Sequence, residues 1–379
     1  MFFFFLLSNF PTMYLINLTR SLIMKKTLGV IVLIWFIFFV SYYSFIDNTS
    51  STMEVPFPKE DWEFAIENEV TFPAERKAGI NHALEKRPEI HTMLVVKEGK
   101  VVIDYGQGIN SNDSIYRVNS VTKSVVSILI GMAIHKGHIE HVEQPIEDFI
   151  PEIKEMENYE TLKTLTIKHL LTMRSGLKWS KDLETARIGQ RDVIDYVLTK
   201  PFVQDPDKLF TYSSGTTDIL AIILERATGK TLVEFAEENL FSQLKIDKYE
   251  WEKRGDQYKG GSGLYILPYD LAKLGYLMLH DGVWKEERLL PEGWVEDSTN
   301  IYSDGSYLNT DGYGYQWWIG KYGRGKEYFF ASGDMGQGLF VIPEEDLIVV
   351  FTARILDNDI NIYYALLRNY LIDHIEIKR

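Results

Sequence analysis

The main body of this 379-residue chain is strand-like at both ends and helical in between, which limits the folds open to it. Near its start, residues 91–105 read as a hairpin, with β-branched and apolar runs at 93–96 and 101–103 around the turn Lys97-Glu-Gly-Lys100. Near its end, the runs 314–319, 327–331, 338–342 and 347–352 predict four more strands, and the spacing of 360–372 predicts a closing helix. Between them, helical periodicity marks 167–172, 191–198, 216–227, 231–241 and 271–279, and a further helix is expected at 74–87. Strands from both chain ends that share one sheet enclose whatever lies between them. The expected class is therefore α+β: an antiparallel sheet from both ends, flanked by helices, with an inserted helical lobe at about 140–260. A cleft between sheet and lobe is a common ligand site.

Ahead of this body, residues 27–46 form an uncharged, mostly apolar run, long enough as a helix to cross about 30 Å of hydrocarbon. Lys25 and Lys26 precede the run and Asp47 follows it, which places the remainder of the chain outside the cytoplasm by the positive-inside rule. The expected organisation is an N-terminal anchor region at 1–46 with its main span at 27–46, a linker at 47–60, and a single domain at 61–379. Residues 2–17 are also apolar but are interrupted by Asn9 and Pro11, and Met24-Lys25-Lys26 is an alternative beginning for a secreted chain. The expected location is the cell membrane, single-pass, with the domain extracytoplasmic. A formal net charge of −14 argues against nucleic acid as a partner. The absence of cysteine excludes disulfides and thiolate chemistry.

Within the body, Ser120-Val-Thr-Lys123 places a lysine one helical turn after a serine. A serine hydroxyl is a weak nucleophile until a neighbouring base takes its proton. Ser175 with Lys178 and Ser242 with Lys245 match the same spacing. Context separates the three. After Ser120 come Val125, Val126, Ile128, Leu129, Ile130, Met132, Ala133 and Ile134, apolar nearly all round a helix, with Gly137 as its C-terminal stop. Ser120 thus opens a buried helix, where backbone N–H groups favour developing negative charge. Ser175 is followed at once by Gly176, and Ser242 closes a helix rather than opening one.

Two later segments join it: Tyr212-Ser-Ser214 at a loop-to-helix junction, and Ala331-Ser-Gly-Asp-Met-Gly-Gln337 leading into a strand. In this order and separation the set resembles the serine β-lactamase-related superfamily, which includes class C β-lactamases, D-alanyl-D-alanine peptidases, esterases and 6-aminohexanoate-dimer hydrolases. Residues 167–177, 312–319 and 336–343 resemble further segments of that superfamily, so the likeness runs from about 60 to 375. The resemblance implies an acyl-enzyme on Ser120, with Lys123 and Tyr212 moving the proton. Free lysine and tyrosine have pKa values near 10.4 and 10, so either needs its surroundings to act as a base, and the choice between them stays open. It also implies an oxyanion site of two backbone N–H groups, from Ser120 and from Asp334 after Gly333, with Ser214 beside the substrate. It implies no cofactor and no metal.

One departure narrows the substrate. Where β-lactamases and D-alanyl peptidases carry a cation before the motif glycine, this chain has Ala331-Ser332-Gly333. The expectation is therefore an esterase or amidase acting on a small molecule or short peptide. The alternatives are a D-alanyl-D-alanine peptidase or β-lactamase-like protein with a cation such as Arg174 supplied from elsewhere, and an inert surface binding module. Ser214 is equally suited to capping its helix. His135, His138 and His141 read as a solvated helix end, Gly260-Gly-Ser-Gly263 lacks the residues of a phosphate loop, and Trp317 and Trp318 read as sheet packing.

Overall fold

The computed structural model describes residues 62–66, 69–106, 111–180, 192–303, 305, 308, 310–323, 325–356 and 361–377. The expected membrane span at 27–46 and the linker at 47–60 lie outside the described residues. Among the described residues no helix is long and apolar enough to cross a membrane.

One eight-stranded sheet organises the fold. Its strands are β1 (Glu63–Phe64), β2 (Ile90–Lys97), β3 (Lys100–Gly106), β4 (Gly312–Tyr313), β5 (Trp318–Tyr322), β6 (Lys326–Gly333), β7 (Gln337–Ile342) and β8 (Leu347–Ala353). Their order across the sheet is β1-β3-β2-β8-β7-β6-β5-β4. The β2–β3 hairpin closes through Glu98 and Gly99, both left-handed (φ 48° and 76°), the two-residue turn whose twist suits paired strands. The first and last parts of the domain meet at the centre, where β2 pairs antiparallel with β8 from Lys97↔Leu347 onward. Every pairing is antiparallel except the two-residue edge strand β1, which runs parallel to β3, so the sheet is mixed.

Two sequence expectations are corrected in the last third. Residues 314–319 are expected to form one strand, but 314–317 make the turn between β4 and β5, and only Trp318 and Ile319 lie in a strand. The reason is Gln316, which is buried and left-handed (φ 65°). Its side chain donates to the carbonyls of Leu170 (3.0 Å) and Leu171 (2.7 Å) and accepts from Thr217 Oγ1 (2.9 Å), while its own carbonyl accepts from Ser124 Oγ (2.7 Å). These bonds outweigh the strand propensity of the aromatic neighbours. The closing helix is also shorter in α form than expected: it is α-helical over Asn361–Leu366 and continues as a π-turn over Leu367–Leu371.

The helices pack in two places. Helix α1 (Ala74–Glu85) and the closing helix α6 (Asn361–Leu366) cover one part of the sheet, with Ile80, Leu84, Tyr363 and Leu366 joining the sheet residues Phe330, Phe340 and Phe351 in a common core. Helix α2 (Thr122–His135) is buried from Thr122 to Ala133, as its all-round apolar sequence requires. It packs against α4 (Ser214–Thr228), which in turn rests on α3 (Ile167–Leu171), and α5 (Pro268–Leu279) crosses β7 and β8. Gly137, left-handed at φ 76°, donates to the Ile134 carbonyl just past the end of α2.

Candidate active site

Helix α2 delivers the first two residues of the site. A 3-10 turn, Asn119–Val121, runs directly into it, so Ser120 sits in the first turn, whose N–H groups have no acceptor within the helix. Ser120 is half-buried and Lys123 is 1% exposed. The i, i+3 spacing sets Lys123 Nζ 3.0 Å from Ser120 Oγ. The same ammonium donates to Ser214 Oγ at 2.8 Å and to the Gly261 carbonyl at 2.7 Å. An ammonium has three protons, and all three are matched, which is what makes so deeply buried a charge tolerable.

Neither competing serine–lysine pair is arranged this way. Ser175 is buried in a loop, where its hydroxyl accepts from Leu177 N, and Lys178 is exposed. Ser242 donates back to the Glu238 carbonyl (3.0 Å), and Lys245 is a left-handed stop at φ 54°.

Helix α4 brings Ser214, and the neighbouring residue explains why it is available. The helix is capped by Ser213, whose hydroxyl accepts from Thr216 N (3.2 Å). Ser214 therefore has its hydroxyl on Lys123. Tyr212, just before the cap, presents its ring face to Lys123 Nζ, 4.8 Å from the centroid, a cation–π distance. The ring also stacks on Trp318 (5.7 Å, 29°) and meets Tyr313 edge-on (6.4 Å). Trp318 thus packs the sheet and also backs the site, whereas Trp317 packs on Phe329.

The third segment comes from the β6–β7 turn. Gly333 ends β6 so close to the stretch before Ser120 that a Cβ there would lie 2.2 Å from the Val118 carbonyl oxygen, so no other residue fits without moving the backbone. Asp334 follows, exposed, with its carbonyl accepting from Asn119 Nδ2 at 2.7 Å. Asn119 also accepts from Arg117, which grips Glu252 through two bonds of 3.0 and 3.1 Å. Those bonds from Arg117, with others from Lys259 and Tyr265, hold the Glu252 carboxyl down at about 2. The structure therefore brings Ser120, Lys123, Tyr212, Ser214, Gly333 and Asp334 together. Arg174, considered as a substitute cation, is engaged by the carbonyls of Tyr302 (2.6 Å) and Asp207 (2.5 Å) and by the Asp207 carboxylate (3.3 Å).

Gly261, Asp218, Arg254, Asn119 and Arg117 escaped the sequence reading. Gly261 supplies the lysine's third acceptor, and its own N–H donates to Asp218 Oδ1 (2.8 Å), a buried carboxylate paired with Arg254 (2.8 Å). Asn119 and Arg117 tie the nucleophile segment to the β6–β7 turn. The signal for Gly261 was the glycine cluster at 260–263, which marks close backbone approach: a Cβ on Gly261 would stand 2.6 Å from Ser214 Cβ.

Known proteins resemble this chain in sequence and fold. Over 327 residues the chain is 26% identical to the 6-aminohexanoate-dimer hydrolase of Paenarthrobacter ureafaciens, covering 76% of this chain and 80% of that one. Over 208 residues it is 25% identical to the teichoic acid D-alanine hydrolase of Staphylococcus aureus, covering 48% of this chain and 50% of the relative. A solved structure from Bacillus anthracis, provisionally named a 6-aminohexanoate-dimer hydrolase, superposes with a TM-score of 0.67 at 20% identity, covering 84% of this chain and 88% of that one. The Beta-lactamase family matches residues 81–363, most of the described domain, and the chain belongs to that family of serine hydrolases.

Proposed function

We propose that this protein cleaves ester or small amide bonds outside the cytoplasm through an acyl-enzyme on Ser120. One observation carries the reading: a single buried ammonium, Lys123, joins the hydroxyls of Ser120 and Ser214 to the Gly261 carbonyl, with the Tyr212 ring over it. At 3.0 Å the lysine is within proton-transfer reach of Ser120 Oγ. In the first step Ser120 Oγ bonds to the substrate carbonyl carbon and its proton passes to the Lys123–Tyr212 pair in its base form, a neutral Lys123 amine or a Tyr212 phenolate beside the Lys123 ammonium, because an ammonium that keeps all three protons cannot accept it. The carbonyl oxygen takes up negative charge facing the N–H groups of Ser120 and Asp334. Collapse breaks the bond to the leaving alcohol or amine, which departs with that proton. Water then repeats the sequence, releasing the acid and restoring the serine.

The lack of a cation in Ala331-Ser332-Gly333 supports ester or amide substrates over β-lactams, and the 6-aminohexanoate-dimer hydrolase relative acts, by its name, on a dimer of 6-aminohexanoate. The apolar run at 27–46, behind two lysines, supports anchoring at the cell membrane with the domain outside. The test is covalent labelling by a fluorophosphonate. Wild type should label and Ser120→Ala should not, while Ser175→Ala and Ser242→Ala should label normally. Equal labelling of wild type and Ser120→Ala would refute the assignment. Hydrolysis of p-nitrophenyl esters, with nitrocefin and D-Ala-D-Ala peptides turned over far more slowly, would support the substrate class.

A further inference from the structure

Asn119 stands immediately before the nucleophile, in a left-handed conformation (φ 49°) that asparagine tolerates better than most residues. The residue is 8% exposed, and its side chain spans two partners. Arg117 can only donate, so the Asn119 oxygen must face it, and the Asn119 amide nitrogen is left to donate to the Asp334 carbonyl (2.7 Å). Behind Arg117, the Glu252 carboxylate closes the chain with two bonds and is itself held by Tyr265 Oη (3.0 Å). One residue earlier, the Val118 carbonyl abuts Gly333. The segment carrying Ser120 and the segment carrying Asp334 are thus fastened together at neighbouring points, and Asn119 is the polar fastener.

We infer that Asn119 is a positioning residue: by holding the Asp334 carbonyl it fixes the distance between the Ser120 and Asp334 N–H groups, and so the width of the pocket that receives the oxyanion. This rests on the reading of Ser120 as the acylated serine. The oxyanion forms only during reaction, so a pocket of the wrong width costs turnover rather than substrate binding. A misplacement of about 1 Å in such a site is enough for about a hundredfold loss.

Two substitutions separate the parts of the claim. Asn119→Asp keeps the shape and the bond from Arg117 but cannot donate to Asp334. Asn119→Gly keeps the left-handed backbone and removes the fastener. With p-nitrophenyl acetate, both are expected to lose about 10- to 100-fold in kcat with KM within about twofold of wild type. Affinity for phenylboronic acid, whose tetrahedral adduct mimics the transition state, should fall in parallel, with thermal unfolding reporting that each variant is folded. If one variant does not fold, the other decides. A folded variant that keeps wild-type kcat would overturn the inference. So would one whose kcat falls while phenylboronic acid affinity stays unchanged, because that pattern belongs to a purely structural role. Failure of wild type to label with fluorophosphonate, or equal labelling of Ser120→Ala, sinks the acyl-serine reading and this inference with it; normal labelling with an indifferent Asn119 sinks only the inference.

Discussion

Replacing Gly261 by alanine strikes the third acceptor of Lys123 without touching a reacting atom. The added Cβ would sit 2.6 Å from Ser214 Cβ, 2.8 Å from the Ser214 carbonyl oxygen and 2.9 Å from Ser214 Cα, against 3.4 Å and above for ordinary contact. Backbone surrounds it, so no side chain can swing aside, and the two segments must part by about 0.8 Å. Parting carries the Gly261 carbonyl away from Lys123 Nζ, now 2.7 Å distant, and pulls Ser214 Oγ with it. A hydrogen bond to a charged group contributes about 1.5–3 kcal/mol. If that support is lost where the lysine must hold Ser120, acylation should slow about 10- to 100-fold. Overpacking should also lower stability by about 1–3 kcal/mol. The assay is stopped-flow release of p-nitrophenol in the acylation burst, paired with thermal unfolding of the same sample. A Gly261→Ala protein that acylates within about twofold of wild type would show that the carbonyl does not hold the lysine, whatever happens to its stability.

Tyr212→Phe keeps the ring on Trp318 and over Lys123 but removes the hydroxyl; acylation should drop by about 100-fold or more with little change in Tm, and an unchanged rate would remove Tyr212 from proton transfer. Ser213→Ala should cost about 1 kcal/mol of stability from the lost cap while leaving the acylation rate intact, whereas Ser214→Ala should slow acylation with a smaller effect on melting; the opposite pattern would exchange their roles. Glu252 is held at about 2, below its ordinary 4.5, chiefly by Arg117. A depressed carboxyl contributes stability that is complete above its unfolded value and is lost as the pH falls from about 4.5 through about 2. Glu252→Gln should therefore melt lower than wild type near neutrality, with the gap narrowing across that acid range; a constant gap would mean the ion pair adds nothing.

The frame of the site was legible because it depends on side-chain periodicity. A helix apolar on every side must be buried, and a serine and lysine three apart at its start must meet, so helix context singled out Ser120 and Lys123 from three pairs of the same spacing. The strands at both chain ends were legible for the same reason. What stayed hidden was carried by the backbone or by single polar contacts. The Gly261 carbonyl has no side chain to announce it, and only the glycine cluster hinted that another segment passed close. Ser213 and Ser214 are the same residue type, side by side, and only the helix geometry decides which hydroxyl caps and which reaches the lysine. Gln316 sits among aromatic residues that read as one strand, because nothing local reveals the two helices that bind its side-chain amide or the third that binds its carbonyl.

That amide carries a consequence for how the protein responds to its surroundings. Gln316 joins the β4–β5 hairpin, and with it the Trp318 wall behind Tyr212, to Leu170 and Leu171 in α3, Thr217 in α4 and Ser124 in α2. Every group in this joint is an amide, a carbonyl or a hydroxyl, and none of them changes charge between strongly acid and strongly alkaline solution. The fastening on the other side of Ser120, from Glu252 through Arg117 to Asn119, depends on a carboxylate that is protonated near pH 2. Acid therefore acts on the two sides unequally. The Gln316 joint keeps its bonds, and of these two fastenings the one from Glu252 through Arg117 to Asn119 is the one that acid loosens.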